Sequence, residues 1–180
     1  MRVIAGTAGG RRLVAPAGTG TRPTSDRVRE ATFNALTSLG ALEGAVVLDL
    51  FAGSGALGIE ALSRGAASCT FVDVDRAARR AVADNVAACG FTDRATVAPG
   101  PAERHLADLA RDGVVVDLAL LDPPYDFTGW EALLSSLPAD LAVVESGRPV
   151  ALPAGWERLR SKRYGRTQVA IFERAGLGAR

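Results

Sequence analysis

The stretch VVLDLFAGSGALGIEAL, residues 46–62, decides the fold. Its first six residues, VVLDLF, are apolar except for Asp49. A short apolar run of this kind, bounded by glycines, predicts a strand buried on both faces. The turn that follows carries Gly53-x-Gly55-x-x-Gly58, and ALGIEALSRG (56–65) then reads as a helix stopped by a glycine. Strand, glycine turn and helix form the opening unit of a parallel α/β sheet, with a backbone able to approach a ligand closely.

The same alternation continues downstream. CTFVDV (69–74) is the second strand and RAARRAVADNVAACG (76–90) the second helix. ATVAP (95–99) is a weak third strand, followed by a helix over 102–113. DLALLD (117–122), a helix over 130–137 and LAVVES (141–146) complete the series. Repeated strand–helix units imply a mostly parallel sheet covered on both faces. The tail, WERLRSKRYGRTQVAIFER, alternates and turns at Gly165, which predicts an antiparallel hairpin on one sheet edge. Upstream, RVIA and RRLVA flank GTAGG as a hairpin signal, and Ser25 or Asp26 can cap a helix carrying Val28, Ala31, Ala35, Leu36 and Leu39. Residues 1–40 thus read as an N-terminal extension, and 41–180 as the main domain.

Composition narrows the class. The chain has 180 residues, 48% of them hydrophobic, enough for one packed domain. No apolar run approaches the roughly 18 residues of a membrane span, and the N-terminus lacks the core of a signal peptide, so a cytoplasmic protein with no membrane partner is expected. Cys69, Cys89 and the single His105 make neither a zinc site nor a serine triad, and no metal is expected. The net charge of +1 is unevenly spread. Arg2, Arg11, Arg12, Arg22, Arg27 and Arg29 face only Asp26 in the first 29 residues, and Arg158, Arg160, Lys162, Arg163 and Arg166 face only Glu157 in residues 157–166. Two basic ends on an acidic body suit a polyanion gripped at one face. Arg22 and Arg29 could equally pair with Asp26, Glu30 or acids of the body.

In sheets of this kind ligands bind at the carboxyl ends of the strands. Asp73, 20 residues after Gly53, ends the second strand and can hold ribose hydroxyls. These features alone fit a dinucleotide or any adenosine-bearing cofactor. Asp49 separates the two, because a carboxylate ahead of the glycines repels a pyrophosphate. It suits a ligand with an ammonium and a sulfonium, and S-adenosylmethionine has both. A nicotinamide-dependent oxidoreductase is the disfavoured alternative.

DLFAGSGALGIEALSRGA followed by DPPY (122–125) resembles the class I S-adenosylmethionine-dependent methyltransferases of amino nitrogens. With RPTSDRVREATFNAL (22–36), nearly the whole chain resembles the RsmD family, bacterial enzymes that methylate the N2 amino group of a guanine in 16S ribosomal RNA. The resemblance implies a Rossmann-like seven-stranded sheet with the C-terminal hairpin on it. It implies a methionine end near Asp49, Ala52, Gly53 and Gly55, Asp73 on the ribose, and Val74 and Ala102 at the adenine. Many relatives carry Asp or Asn just before the alanine matched by Ala102; here Pro101 stands there, leaving adenine to backbone groups and packing.

Asp-Pro-Pro-Tyr has a chemical rationale. An exocyclic amine is a poor nucleophile, and acceptors at its two hydrogens favour the reactive geometry. Asp122 and the carbonyl of Pro123 are those acceptors, while Tyr125 stacks on the base. Glu145 and Ser146 would border the same cleft. Arg11, Arg12, Arg22, Arg27 and Arg29 are candidates for RNA phosphates, with the Arg158–Arg166 hairpin as a second set. The implied partner is 16S rRNA or a small ribosomal subunit, including an assembly intermediate, met by a monomer. Adenine N6 of DNA or of another RNA is the alternative acceptor, and a non-catalytic assembly factor a further one.

Overall fold

The computed structural model describes residues 1–16 and 25–176. Its sheet strands are β1 (Val46–Leu50), β2 (Ser68–Asp73), β3 (Ala95–Pro99), β4 (Val116–Leu121), β5 (Ala139–Ser146), β6 (Trp156–Tyr164) and β7 (Thr167–Arg174). The helices are α1 (Asp26–Ser38), α2 (Ala56–Ser63), α3 (Arg76–Cys89), α4 (Ala102–Arg111) and α5 (Trp130–Ser136). The strands form one seven-stranded sheet in the order β3-β2-β1-β4-β5-β7-β6. All pairings from β3 to β5 are parallel, and β7 joins β5 and β6 antiparallel. This is the Rossmann-like architecture expected, with the tail as an edge hairpin. The chain runs outward through β2 and β3, then reverses to β4 on the other side of β1. The switch point therefore lies between β1 and β4.

Both sheet faces are apolar, and the pleat assigns residues to them alternately. Val47, Cys69, Phe71, Leu118, Leu120 and Val143 join one core with residues of α1, α2 and α3. Leu48, Leu50, Val72, Ala119, Leu121 and Val144 join the other with residues of α4 and α5. Gly58 shows how tightly α2 sits on β2. A Cβ there would lie 2.4 Å from Phe71 Cε1 and 2.6 Å from Cys69 Sγ. No larger residue fits without moving the helix.

The N-terminal hairpin is shorter than its sequence suggests. Among the described residues its ladder is a single bridge, Arg2 to Arg12. The reason lies in its donors. Ile4 and Ala5 give their N–H groups to the buried carboxylate of Glu60, at 2.7 and 3.1 Å. Thr7 and Ala8 donate to the carbonyl and hydroxyl of Ser63. Bonds spent on α2 cannot extend a hairpin. Gly6, at φ +82°, approaches so closely that a Cβ would collide with the Ser63 carbonyl. Val3, Ala8, Leu13, Val28, Phe33 and Leu36 are buried in the same core as the sheet. No described helix is long and apolar enough to cross a membrane.

Candidate active site

The loop between β1 and α2 needs unusual backbone at three positions. Gly53 and Gly55 have φ of +55° and +77°, which glycine adopts without cost. Phe51 has φ +64°, a strained value for an aromatic residue. Its ring is held edge-on against Phe127, 5.5 Å away, and Phe127 packs in turn on Trp130. The loop after β1 and the loop after β4 are thereby packed together.

A cavity of about 940 Å³ opens over the carboxyl ends of the strands. It brings together Asp49, Ala52, Gly53, Asp73, Val74, Ala102, Asp122, Pro123 and Tyr125 from the sequence candidates. Gly55 lies just beneath, as the N-cap of α2 against Val82. Glu145 joins the cavity wall. Ser146 does not: its hydroxyl donates to the Arg148 carbonyl at 2.7 Å, on the far face of β5.

Four carboxylates thus end four adjacent strands, Asp73 on β2, Asp49 on β1, Asp122 directly after β4, and Glu145 on β5. Their chemistry differs. Asp49 is fully buried and accepts a 2.9 Å bond from the Gly58 N–H. Burial pushes its pKa well above the ordinary value of 3.8, the Gly58 bond opposes this, and Asp122 and Asp73 add to the rise. A cation in the cavity would reverse that penalty. Asp73 is half-buried and does a second job that its spacing alone does not reveal. One oxygen accepts from Gly53 N–H at 2.8 Å and the other from Asp75 N–H at 2.8 Å. Each oxygen keeps a lone pair for a further donor. Val74 is 67% exposed, an apolar side chain on the cavity rim. Pro101 lines the cavity too and precedes α4 with no side-chain cap; the polar groups at this end of the cavity are the backbone and the side chain of Glu103.

Tyr125 is 49% exposed, and its hydroxyl lies 2.9 Å from that of Thr167, at the start of β7. The basic hairpin is therefore anchored beside the loop after β4. Among the described residues no cluster of His, Cys, Asp and Glu is arranged to hold a metal ion.

The N-terminal arginines divide. Arg12 and Arg27 are exposed. Arg11 is exposed and donates to the Ala88 carbonyl at 2.8 Å. Arg22 lies outside the described residues. Arg29 departs from its expected place: it is 1% exposed and lines the cavity wall, not the outer surface offered to an RNA backbone. Its closest ion pair is with Asp26, at 3.0 Å, one of the acids its neighbourhood offered. The apolar periodicity of α1 turns this residue inward beside Val28 and Phe33, and a charge tally cannot detect that.

Sequence reasoning also missed Asn85 and Glu60. Asn85 sits on the apolar face of α3 and is 1% exposed. Its amide donates to Val14 and Ser54 carbonyls, and its oxygen accepts from Val14 N–H. It thereby ties the N-terminal segment to the glycine loop. Glu60 does the same for residues 4 and 5. The available signal was a polar residue on an apolar helix face in each case.

The family profile described as "Conserved hypothetical protein 95" matches residues 1–173. YlbH of Bacillus subtilis (strain 168) is 42% identical over 98% of this chain and 100% of its own length. Ribosomal RNA small subunit methyltransferase D of Escherichia coli (strain K12) is 35% identical over 99% of this chain and 92% of its own. The solved structure of yhhF from Escherichia coli superposes with a TM-score of 0.82 at 36% identity, covering 97% of each chain. The match to the family profile and the near end-to-end similarity to these relatives lead to one conclusion: this chain belongs to the RsmD family, conserved hypothetical protein 95.

Proposed function

We propose that this protein transfers a methyl group from S-adenosylmethionine to the exocyclic N2 amino group of a guanine in 16S rRNA of the small ribosomal subunit. The coarser part, an rRNA methyltransferase, is what membership of the family and its full-length relative named ribosomal RNA small subunit methyltransferase D support. The observation that supports methyl transfer to an amino group is the adjacency of β1 and β4. It opens the Asp49–glycine loop and the Asp-Pro-Pro-Tyr segment into one cavity.

The residues fit this cofactor. Four carboxylates at the strand ends favour a cationic ligand and repel a pyrophosphate. Val74 and Ala102 offer apolar contact for an adenine, and Asp73 keeps acceptor capacity for ribose hydroxyls. When bound, the cofactor supplies an electrophilic methyl group whose C–S bond breaks as the new N–C bond forms. Asp122 and the Pro123 carbonyl accept the two hydrogens of the amine and aim its lone pair. The proton lost from nitrogen leaves to Asp122 or to water. Tyr125 stacks on the extruded base. The Phe51–Phe127 contact holds the two loops in register during the transfer.

Exposed Arg11, Arg12 and Arg27 grip RNA phosphates, and the β6–β7 hairpin adds Arg158, Arg160, Lys162, Arg163 and Arg166 beside Tyr125. The protein acts as a cytoplasmic monomer on the subunit or an assembly intermediate. The test is incubation of labelled S-adenosylmethionine with small subunits, naked 16S rRNA and DNA, followed by nucleoside analysis. N2-methylguanosine in rRNA is expected. Label in N6-methyladenine of DNA, with none in rRNA, overturns the reading.

A further inference from the structure

We infer that Arg29 forms a carboxylate-binding subsite in the cavity wall and recognises the α-carboxylate at the amino-acid end of the cofactor. The inference rests on the cofactor reading above and goes beyond it in assigning a ligand group to a residue that charge alone placed on RNA. Its side chain is completely buried. Nη2 donates to the Arg2 carbonyl and to Asp26 Oδ1. Among the described residues Nε and Nη1 find no hydrogen-bond partner. The nearest acid to Nε, Glu60 Oε2, is 3.9 Å away, and Glu60 already accepts from Ile4, Ala5 and Arg64.

A buried guanidinium with two unfilled donors is costly, and structures rarely leave such groups without a partner. Arg29 lines the same cavity as the four strand-end carboxylates. Its position there follows from its neighbours. The Arg2 carbonyl holds Nη2, and the preceding residue, Met1, puts its sulfur 3.8 Å from Ser54 Oγ in the glycine loop. The guanidinium is thereby linked, through residues 1 and 2, to the glycine loop. Among the described residues lining this acidic cavity, Arg29 is the one cationic side chain, and it marks the place for the ligand's anion. A planar guanidinium with free Nε–H and Nη1–H matches a carboxylate in two-point geometry.

Calorimetric titration of S-adenosylhomocysteine and of its decarboxylated analogue, which keeps the amine, separates the roles. The proteins are wild type, Arg29→Gln and Arg29→Lys. Wild type is expected to prefer S-adenosylhomocysteine. Arg29→Gln should weaken it roughly 10- to 100-fold, the scale of charge-assisted hydrogen bonds, while leaving the decarboxylated analogue almost unchanged. Arg29→Lys should fall between. Equal losses for both ligands, or no loss, overturn the inference. So does a variant that loses affinity for rRNA and keeps that for S-adenosylhomocysteine. Should Arg29→Gln not fold, the Lys variant and the wild-type preference decide, and absence of that preference is sufficient to reject the subsite. Failure of wild type to bind either ligand would strike at the cofactor reading instead.

Discussion

The hydroxyls of Tyr125 and Thr167 lie 2.9 Å apart, joining the loop after β4 to the tip of the basic hairpin. If RNA binds along β6 as proposed, that binding is mechanically linked to the residue proposed to stack on the target base. Thr167→Val should lower turnover on rRNA a few-fold and leave affinity for S-adenosylhomocysteine unchanged. Tyr125→Ala should cost more, because stacking on an aromatic is worth about 1–3 kcal/mol per base. Steady-state kinetics on the RNA substrate checks both.

The hairpin makes a salt-dependent prediction. β6 is exposed from Glu157 to Arg163 and carries its cations on the sheet edge. Replacing Arg163 and Arg166 by Gln should weaken rRNA binding. It should also reduce the slope of log K against log salt by about 0.7–0.9 for each phosphate that the variant no longer neutralises. Filter binding at several salt concentrations reads this directly. A weaker affinity with an unchanged slope would remove the hairpin from the phosphate-binding surface.

Asp49 couples cofactor binding to pH. Burial raises its pKa in the ligand-free protein, so part of the population is protonated where an exposed carboxylate would not be. The ligand's ammonium group prefers the carboxylate, so binding expels that proton. Affinity for S-adenosylhomocysteine should therefore climb with pH and level off above the raised pKa. Stability of the ligand-free fold has the opposite dependence. The folded state holds the proton more tightly than the unfolded chain, so this contribution is fully present below the ordinary value of 3.8 and is lost as pH rises toward the folded value. Asp49→Asn should stabilise the ligand-free protein near neutral pH, by about 1.4 kcal/mol for each tenfold difference in proton affinity removed, read as a higher melting temperature. It should also weaken the ligand and flatten its pH profile.

Gly58→Ala tests the seat of α2. Phe71 and Cys69 stand where its methyl would go, and both are fully buried. Overpacking of this kind costs about 1–3 kcal/mol. Denaturant unfolding should show that loss, and the shifted helix should carry Gly55 and the glycine loop with it, weakening S-adenosylhomocysteine. An unchanged midpoint would mean the helix is free to move.

Much of this was legible from sequence because the informative signals are local. Continuous apolar runs fixed the strands to within a residue or two, and the glycine spacing located the loop. The C-terminal hairpin announced itself through alternation and Gly165. Non-local bonds were not legible. The N-terminal hairpin shrank to one bridge because Glu60, more than fifty residues away, takes its donors. Arg29 looked like one of six surface cations until helix packing turned it inward. Asp73 was visible as a ribose acid, and its hold on Gly53 was not, since that bond depends on where the loop returns.

The central claim is that Asp122 positions the reacting amine while the rest of the cavity holds the cofactor. It is tested most directly by measuring single-turnover methyl transfer to small-subunit rRNA by Asp122→Ala, alongside S-adenosylhomocysteine affinity of the same preparation. A drop in transfer of about 100-fold or more, the scale of losing a transition-state hydrogen bond, is expected with affinity almost unchanged. Transfer at the wild-type rate by Asp122→Ala would contradict the account.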